Sequence, residues 1–158
     1  DDGNVVTAGS RSRWITLEQD NHGFAKWVVA NKDELLQLGP GYHYGEWWGK
    51  GIQRGYNVQE RRFSLFNTTR WNELDFAEDY FGVWTVPTLF TGTFAQVFET
   101  LPIIMDALKE HGSQASPGYK NPEGIVLYDT RSGIGYKKTF DYDDTGKGNQ
   151  KDEDGNVI

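Results

Sequence analysis

A chain of 158 residues, 37% hydrophobic and 15% aromatic, can bury a real core and reads as a single globular domain rather than a disordered segment. It has no cysteine, which excludes disulfides and thiolate–zinc sites. It also has no apolar run able to span a bilayer and no opening that resembles a signal peptide. The net charge of −7 argues against a protein that coats DNA, and it is spread unevenly. Residues 141–158 set six acids against Lys147 and Lys151, a net −4, whereas across 49–70 Lys50, Arg54, Arg61, Arg62 and Arg70 face only Glu60. That second stretch is either a phosphate-facing patch or a solvated charged surface.

In chain order, Asp1-Asp2-Gly3-Asn4 reads as a hairpin turn rather than a natural start, so further sequence is expected upstream. Residues 5–13 read as a strand. Phe24, Trp27 and Val28 sit at helical spacing after the polar Asn21, which predicts a helix running toward Leu38 and stopping at Gly39-Pro40. Residues 42–48 and 61–71 read as strands around a glycine-rich turn, and 83–90 as another strand interrupted by Pro87. Phe94, Val97, Phe98 and Leu101 repeat helically, with Pro102 expected to kink or restart a helix that ends near Gly112. Strands over 124–128 and 134–141 then lead into an acidic, glycine-rich tail. Strands in bunches with two helices between them predict an α+β fold of mainly antiparallel sheets with flanking helices.

Strand parity separates the side chains that carry chemistry, because alternate residues point to opposite faces. In RFSLFN (62–67), Phe63 and Leu65 share the face expected to be buried, while Phe66 lies opposite with Arg62, Ser64 and Thr68. An exposed ring among polar neighbours is a platform for a flat ligand or ordinary packing beneath a loop. In GEWWGKG (45–51), Glu46 shares a face with Tyr42, Tyr44 and Trp48. A carboxylate there needs a partner, which ribose hydroxyls, a backbone amide or Arg54 would supply. The glycines permit tight turns and close ligand approach, but the spacing is not that of a P-loop. In PEGIVLY (122–128), Glu123 opens a strand, a position that suits a magnesium ligand, directly or through water. In GYKKTF (135–140), Lys137 and Thr139 share one face, with Tyr136, Lys138 and Phe140 on the other. Lys137 opposite Glu123 would hold a triphosphate or form a cross-strand ion pair.

In their order along the chain, the four blocks resemble the motifs of the covalent nucleotidyltransferase superfamily, specifically the ATP-dependent RNA ligases of bacteriophages and some bacteria. GEWWG resembles that family's third motif, RFSLFN its base-stacking motif, EGIVLY its fourth and YKKTF its fifth. Ser10-Arg11-Ser12 resembles its arginine-bearing strand. The resemblance covers residues 5–140 and implies an ATP-grasp-like nucleotidyltransferase (adenylation) domain over 1–140, followed by the tail at 141–158.

The resemblance implies that Arg11 contacts phosphates or ribose, Glu46 holds the ribose and Phe66 stacks on adenine. Glu123 would support Mg2+ and phosphate, and Lys137 would neutralise the α-phosphate; Glu123 and Lys137 are thus the catalytic candidates, and Glu123 the metal candidate. ATP and Mg2+ would be the cofactors. RNA ends or nicked RNA would be the partners of a cytoplasmic monomer in a bacterial or phage-infected cell, away from membranes. In the family a lysine attacks the α-phosphate and releases pyrophosphate; the adenylate then passes to an RNA 5′-phosphate, and a 3′-hydroxyl seals the strand. That nucleophile lies in a K-x-D-G block upstream of the arginine strand. This sequence contains no such block, and Lys26 and Lys32 lie in the helical region without a D-G partner. The expectation is therefore an N-terminally incomplete domain, inactive alone in self-adenylation. Thr139 stands where relatives carry a second pocket lysine, which reduces phosphate neutralisation.

Other signals carry less. Asp141-x-Asp143-x-Thr145-Gly146 with Asp152 mimics part of a calcium loop, but it follows a strand and lacks the closing glutamate. His22, His43 and His111 show no metal spacing. Two other classes stay open: a DNA ligase or capping guanylyltransferase of the same superfamily, and a non-catalytic nucleotide- or RNA-binding module.

Overall fold

The computed structural model describes residues 4–71 and 82–140. The opening turn at 1–3, the end of the last strand at Asp141 and the acidic tail with its calcium-like run lie outside the described residues. The chain divides into two compact units, Asp1–Gly55 with Gln59–Val86 and Tyr56–Val58 with Pro87–Ile158.

In the first unit, β1 (Ala8–Gly9) and β2 (Trp14–Ile15) form a two-stranded antiparallel ribbon. The strand expected over 5–13 is cut short because the Ser10 hydroxyl bonds the Arg13 carbonyl and accepts from the Ser12 and Arg13 amides, folding 10–13 into a turn. The single helix expected to run toward Leu38 is two: α1 (Phe24–Ala30) and α2 (Lys32–Leu36). They break at Asn31, whose side-chain amide turns back onto the Trp27 carbonyl at 2.8 Å. Asp20 serves the start of α1, accepting from the amides of Asn21, Ala25 and Lys26 at 2.7, 2.8 and 3.2 Å.

β3 (Gly45–Gly49) pairs antiparallel with β4 (Arg61–Leu65), which pairs in parallel with β5 (Val83–Thr85). The strand expected over 61–71 ends at Leu65. Asn67 then accepts from the Arg70 amide and opens the short helix α3 (Thr68–Trp71), so Thr68 does not share a strand face with Phe66. One face of this three-stranded sheet makes the core: Phe63, Leu65 and Val83 pack with Ala8, Ile15, Ala25, Val28, Leu35, Leu38 and Trp71, and Leu65 is fully buried. Phe24, Trp27, Trp47 and Phe63 form a ring cluster with centroids 5.0–5.9 Å apart.

The second unit holds α4 (Phe94–His111) and the antiparallel hairpin of β6 (Gly124–Asp129) and β7 (Ile134–Thr139). A capping box starts α4: the Thr93 hydroxyl accepts from the Gln96 amide, and the Gln96 side chain accepts from the Thr93 amide. The helix runs unbroken through Pro102, whose side is exposed, so water can serve the carbonyl the ring leaves without a donor. Met105 and Leu108 are its buried positions. Among the described residues the architecture is α+β with small sheets, antiparallel except for β4–β5. No helix among them is long and apolar enough to cross a membrane.

Candidate functional site

In the first unit, the sheet face opposite the core is where Glu46 and Phe66 come together. Glu46 lies directly across from Ser64, and Phe66, the residue just past the end of β4, follows on that side by alternation. The Phe66 amide donates to the Tyr44 carbonyl at 2.9 Å, so Tyr44 and Phe66 are opposed at the end of the ladder. Phe66 is half exposed, and Glu46, Tyr42 and Tyr44 are exposed. No described group donates a hydrogen bond to the exposed Glu46 carboxylate.

Farther along, the same face is closed. Trp48 and Ser64 are buried and joined by an indole N–H to hydroxyl bond of 2.8 Å. Arg62 stacks over Trp84 at 4.2 Å and pairs with Glu60. The face is thus half packed interior and half open platform, the boundary falling between Trp48 and Glu46. Gly45 makes the platform possible in a way other than ligand approach: a side chain there would stand 2.5 Å from the Ser64 carbonyl and 2.8 Å from the Phe63 ring. The ring occupies the space that glycine leaves, locking the backbone next to Glu46.

The basic stretch at 49–70 is mostly structural. Arg61 donates to the His22 and Lys50 carbonyls at 2.6 and 3.0 Å, Arg62 is committed to Glu60, and Arg70 donates to the Leu38 carbonyl at 2.8 Å. Arg11 is exposed on the β1–β2 turn, on a different sheet from Glu46 and Phe66.

In the second unit, Glu123 and Lys137 form an ion pair, Nζ to Oε2 at 3.2 Å, and the Tyr56 hydroxyl donates to Glu123 Oε1 at 2.8 Å. Tyr56 is held in turn by an edge-on contact with Tyr119, centroids 5.1 Å apart, and by the Ser116 hydroxyl on its carbonyl. Gly124 is obligatory here: its φ is +143°, and a side chain would stand 2.1 Å from the Lys138 carbonyl. That conformation turns Glu123 out of strand alternation, so that it meets Lys137 although Val126 is the residue paired with Lys137. Lys138 faces the other way, where with Asp106 and Lys109 it lines a cleft of about 310 Å³ floored by Met105 and Phe140. Neither this cleft nor one of about 610 Å³ beside Phe94 and Arg131 is lined by any of the five predicted residues.

Both Glu123 oxygens therefore accept from protein donors, one of them a cation. That donor set fits a residue that positions Lys137 and reaches a metal through water better than one that ligates it directly. Among the described residues, no three histidine or carboxylate side chains gather as a metal site. Sequence reasoning missed Tyr56, which lies 67 residues from its partner and carries no local signal. It placed Tyr42 and Tyr44 on the face of Glu46 without assigning them a task. No protein-family profile, curated protein or solved structure matches this chain.

Proposed function

We propose that this chain is the adenylate-binding part of an ATP-dependent RNA ligase of the nucleotidyltransferase superfamily. The observation that carries the reading is the adjacency of Glu46 and Phe66 on one open sheet face: a flat apolar ring beside a carboxylate without a protein donor. A nucleoside matches that pair, since its base stacks on the ring and its ribose hydroxyls donate to the carboxylate.

Nucleoside recognition falls to Phe66 and Glu46 in the first unit, with Arg11 assigned to phosphate or ribose by resemblance. Within the second unit, Lys137 pairs with Glu123, which also accepts from Tyr56, and the assignment of Lys137 to charge neutralisation comes from the resemblance. The reaction this serves is attack of an amine on the α-phosphorus of ATP, forming a P–N bond and expelling pyrophosphate, followed by transfer of the adenylate to an RNA 5′-phosphate. In the family named by the resemblance, a lysine at the motif position of Lys137 offsets the charge that builds on the α-phosphate oxygens. Magnesium enters as part of the MgATP substrate and screens the phosphates.

Equilibrium dialysis with ATP and GTP tests the reading. ATP should bind in preference to GTP, and Phe66→Ala should weaken it. A preference for GTP would favour a capping enzyme, and unchanged affinity in Phe66→Ala would remove the ring from the site. Comparing nicked RNA with nicked DNA separates the two ligase classes.

A further inference from the structure

The hairpin of the second unit has one edge that nothing guards. In an antiparallel pair, opposed residues alternate between those that exchange both backbone bonds and those that exchange none. Here the Phe140 amide donates to the Glu123 carbonyl at 3.2 Å and the Gly133 amide to the Asp129 carbonyl at 2.8 Å. The bonded positions of β6 are therefore Glu123, Ile125, Leu127 and Asp129. Val126 and Tyr128, opposite Lys137 and Gly135, turn their N–H and C=O groups away from β7. Among the described residues β6 has no second neighbour, and no group bonds to those outward atoms.

The same two residues carry bare side chains. Val126 is 70% and Tyr128 66% exposed, on the hairpin face opposite Ile125 and Lys138. Sheet edges are commonly blunted by lysine or proline, and β7 has Lys137 and Lys138. From Ile125 to Tyr128, β6 has neither a charge nor a proline. A two-stranded hairpin that buries this little is marginal alone and gains stability from a further strand.

An open ladder selects an extended strand as its occupant, and β6 is its own complement. Its two outward positions lie two residues apart, one β-branched and the other aromatic. Two copies laid antiparallel about a twofold axis at Leu127 set Val126 of one protomer against Tyr128 of its partner, and the reverse. Each such contact is a favourable aromatic–β-branched pair and exchanges both backbone bonds. Centring the axis on Val126 would instead oppose Glu123 to Asp129, like charges directly across the strands.

We infer that β6 is a self-association edge: two copies of this chain pair their β6 strands antiparallel about Leu127, joining two hairpins into one four-stranded sheet. The side chains of Val126 and Tyr128 then cover one another across the axis. The inference does not rest on the nucleotide reading. The contact is small, so its dissociation constant is on the order of 10⁻⁴ M, and the single chain prevails at low micromolar concentration.

Sedimentation equilibrium of the full chain, from low micromolar to submillimolar concentration, tests this. The mass should rise from 18.0 kDa toward twice that value. Val126→Pro removes an outward N–H that the hairpin does not use and should hold the mass at that of one chain. Val126→Thr, β-branched with its N–H in place, should keep the rise. Tyr128→Lys puts a charge on the edge and should raise the dissociation constant at least roughly tenfold. The chain has no cysteine, so Leu127→Cys supplies a single thiol facing its own copy across the axis. Oxidation with copper phenanthroline should link that variant, and should leave Ile125→Cys, which lies off the axis opposite the partner's Asp129, unlinked.

A wild type that keeps the mass of one chain over the whole range overturns the proposal and leaves the edge to a strand of another protein. A dimer undiminished by both Val126→Pro and Tyr128→Lys also overturns it, since the contact would then lie on another face. So does a linked Ile125→Cys beside an unlinked Leu127→Cys, which places the axis elsewhere.

Discussion

The two units place their candidate glutamates in opposite circumstances. Glu46, in the first, sits on a sheet whose other face is a dense core, and its carboxylate has no donor among the described residues. Glu123, in the second, opens an exposed hairpin and has both oxygens engaged, by Tyr56 and by Lys137. The contrast shows two ways of holding a functional group. A strand backed by buried Phe63 and Leu65 keeps Glu46 in place by packing and leaves its chemistry open to a ligand. A hairpin with little burial has to hold Glu123 by hydrogen bonds, which take one lone pair on each oxygen and tie its position to Tyr56 and Lys137.

The largest effect that sharpens this contrast is in the core. All six tryptophans belong to the first unit, so their fluorescence reports on it alone. Leu65→Ala should cost about 2–5 kcal/mol in the urea unfolding followed by that signal. A cost under about 1 kcal/mol would mean that the sheet is not the platform's support. On the open face, Phe66→Ala should weaken ATP by ~1–3 kcal/mol without a comparable loss of stability, the reverse of the Leu65 result.

In the second unit, Tyr56→Phe removes one bond to a carboxylate and should cost ~1 kcal/mol, read as faster amide exchange along β6 and β7. Unchanged exchange would show that the Tyr56 bond does not place Glu123. Asp20→Ala, at the start of α1, should cost ~1 kcal/mol near neutrality. Partial desolvation works to raise the Asp20 pKa, but the amides of Ala25, Lys26 and Asn21, with Arg61 nearby, outweigh it and hold it below the usual carboxylate value. A group depressed in the folded state stabilises above its unfolded pKa, about 3.9, and loses that contribution as pH falls through the folded value. The gap between wild type and Asp20→Ala should therefore close in acid; a gap that persists at the lowest pH would deny Asp20 its charged role. Smallest of all, Val126→Ala on the bare face of the hairpin should stay within about 0.5 kcal/mol of wild type.

Alternation made the sheet legible in the sequence. It put Phe63 and Leu65 in the core, Phe66 across from them, Glu46 beside Tyr44 and Trp48, and Lys138 away from Lys137. Alternation failed where a short polar side chain competed for the backbone. Ser10 turned a strand carrying Arg11 into a loop, Asn31 split a helix, and Asn67 ended a strand at the residue after Phe66. It was also silent on partners that no local pattern encodes. Tyr56 reaches Glu123 from 67 residues away, β5 joins β4 in parallel, and Arg61 and Arg62 turn a stretch of positive charge into structural bonds.

The most direct test of the central claim, that the Glu46–Phe66 face receives a nucleoside, is a titration of the isotope-labelled chain with MgATP followed by amide and aromatic resonances. The account predicts saturable shifts at Phe66, Glu46 and Ser64, with the Phe66 ring protons moved by the stacked adenine. Saturable binding that leaves those three resonances in place would contradict it.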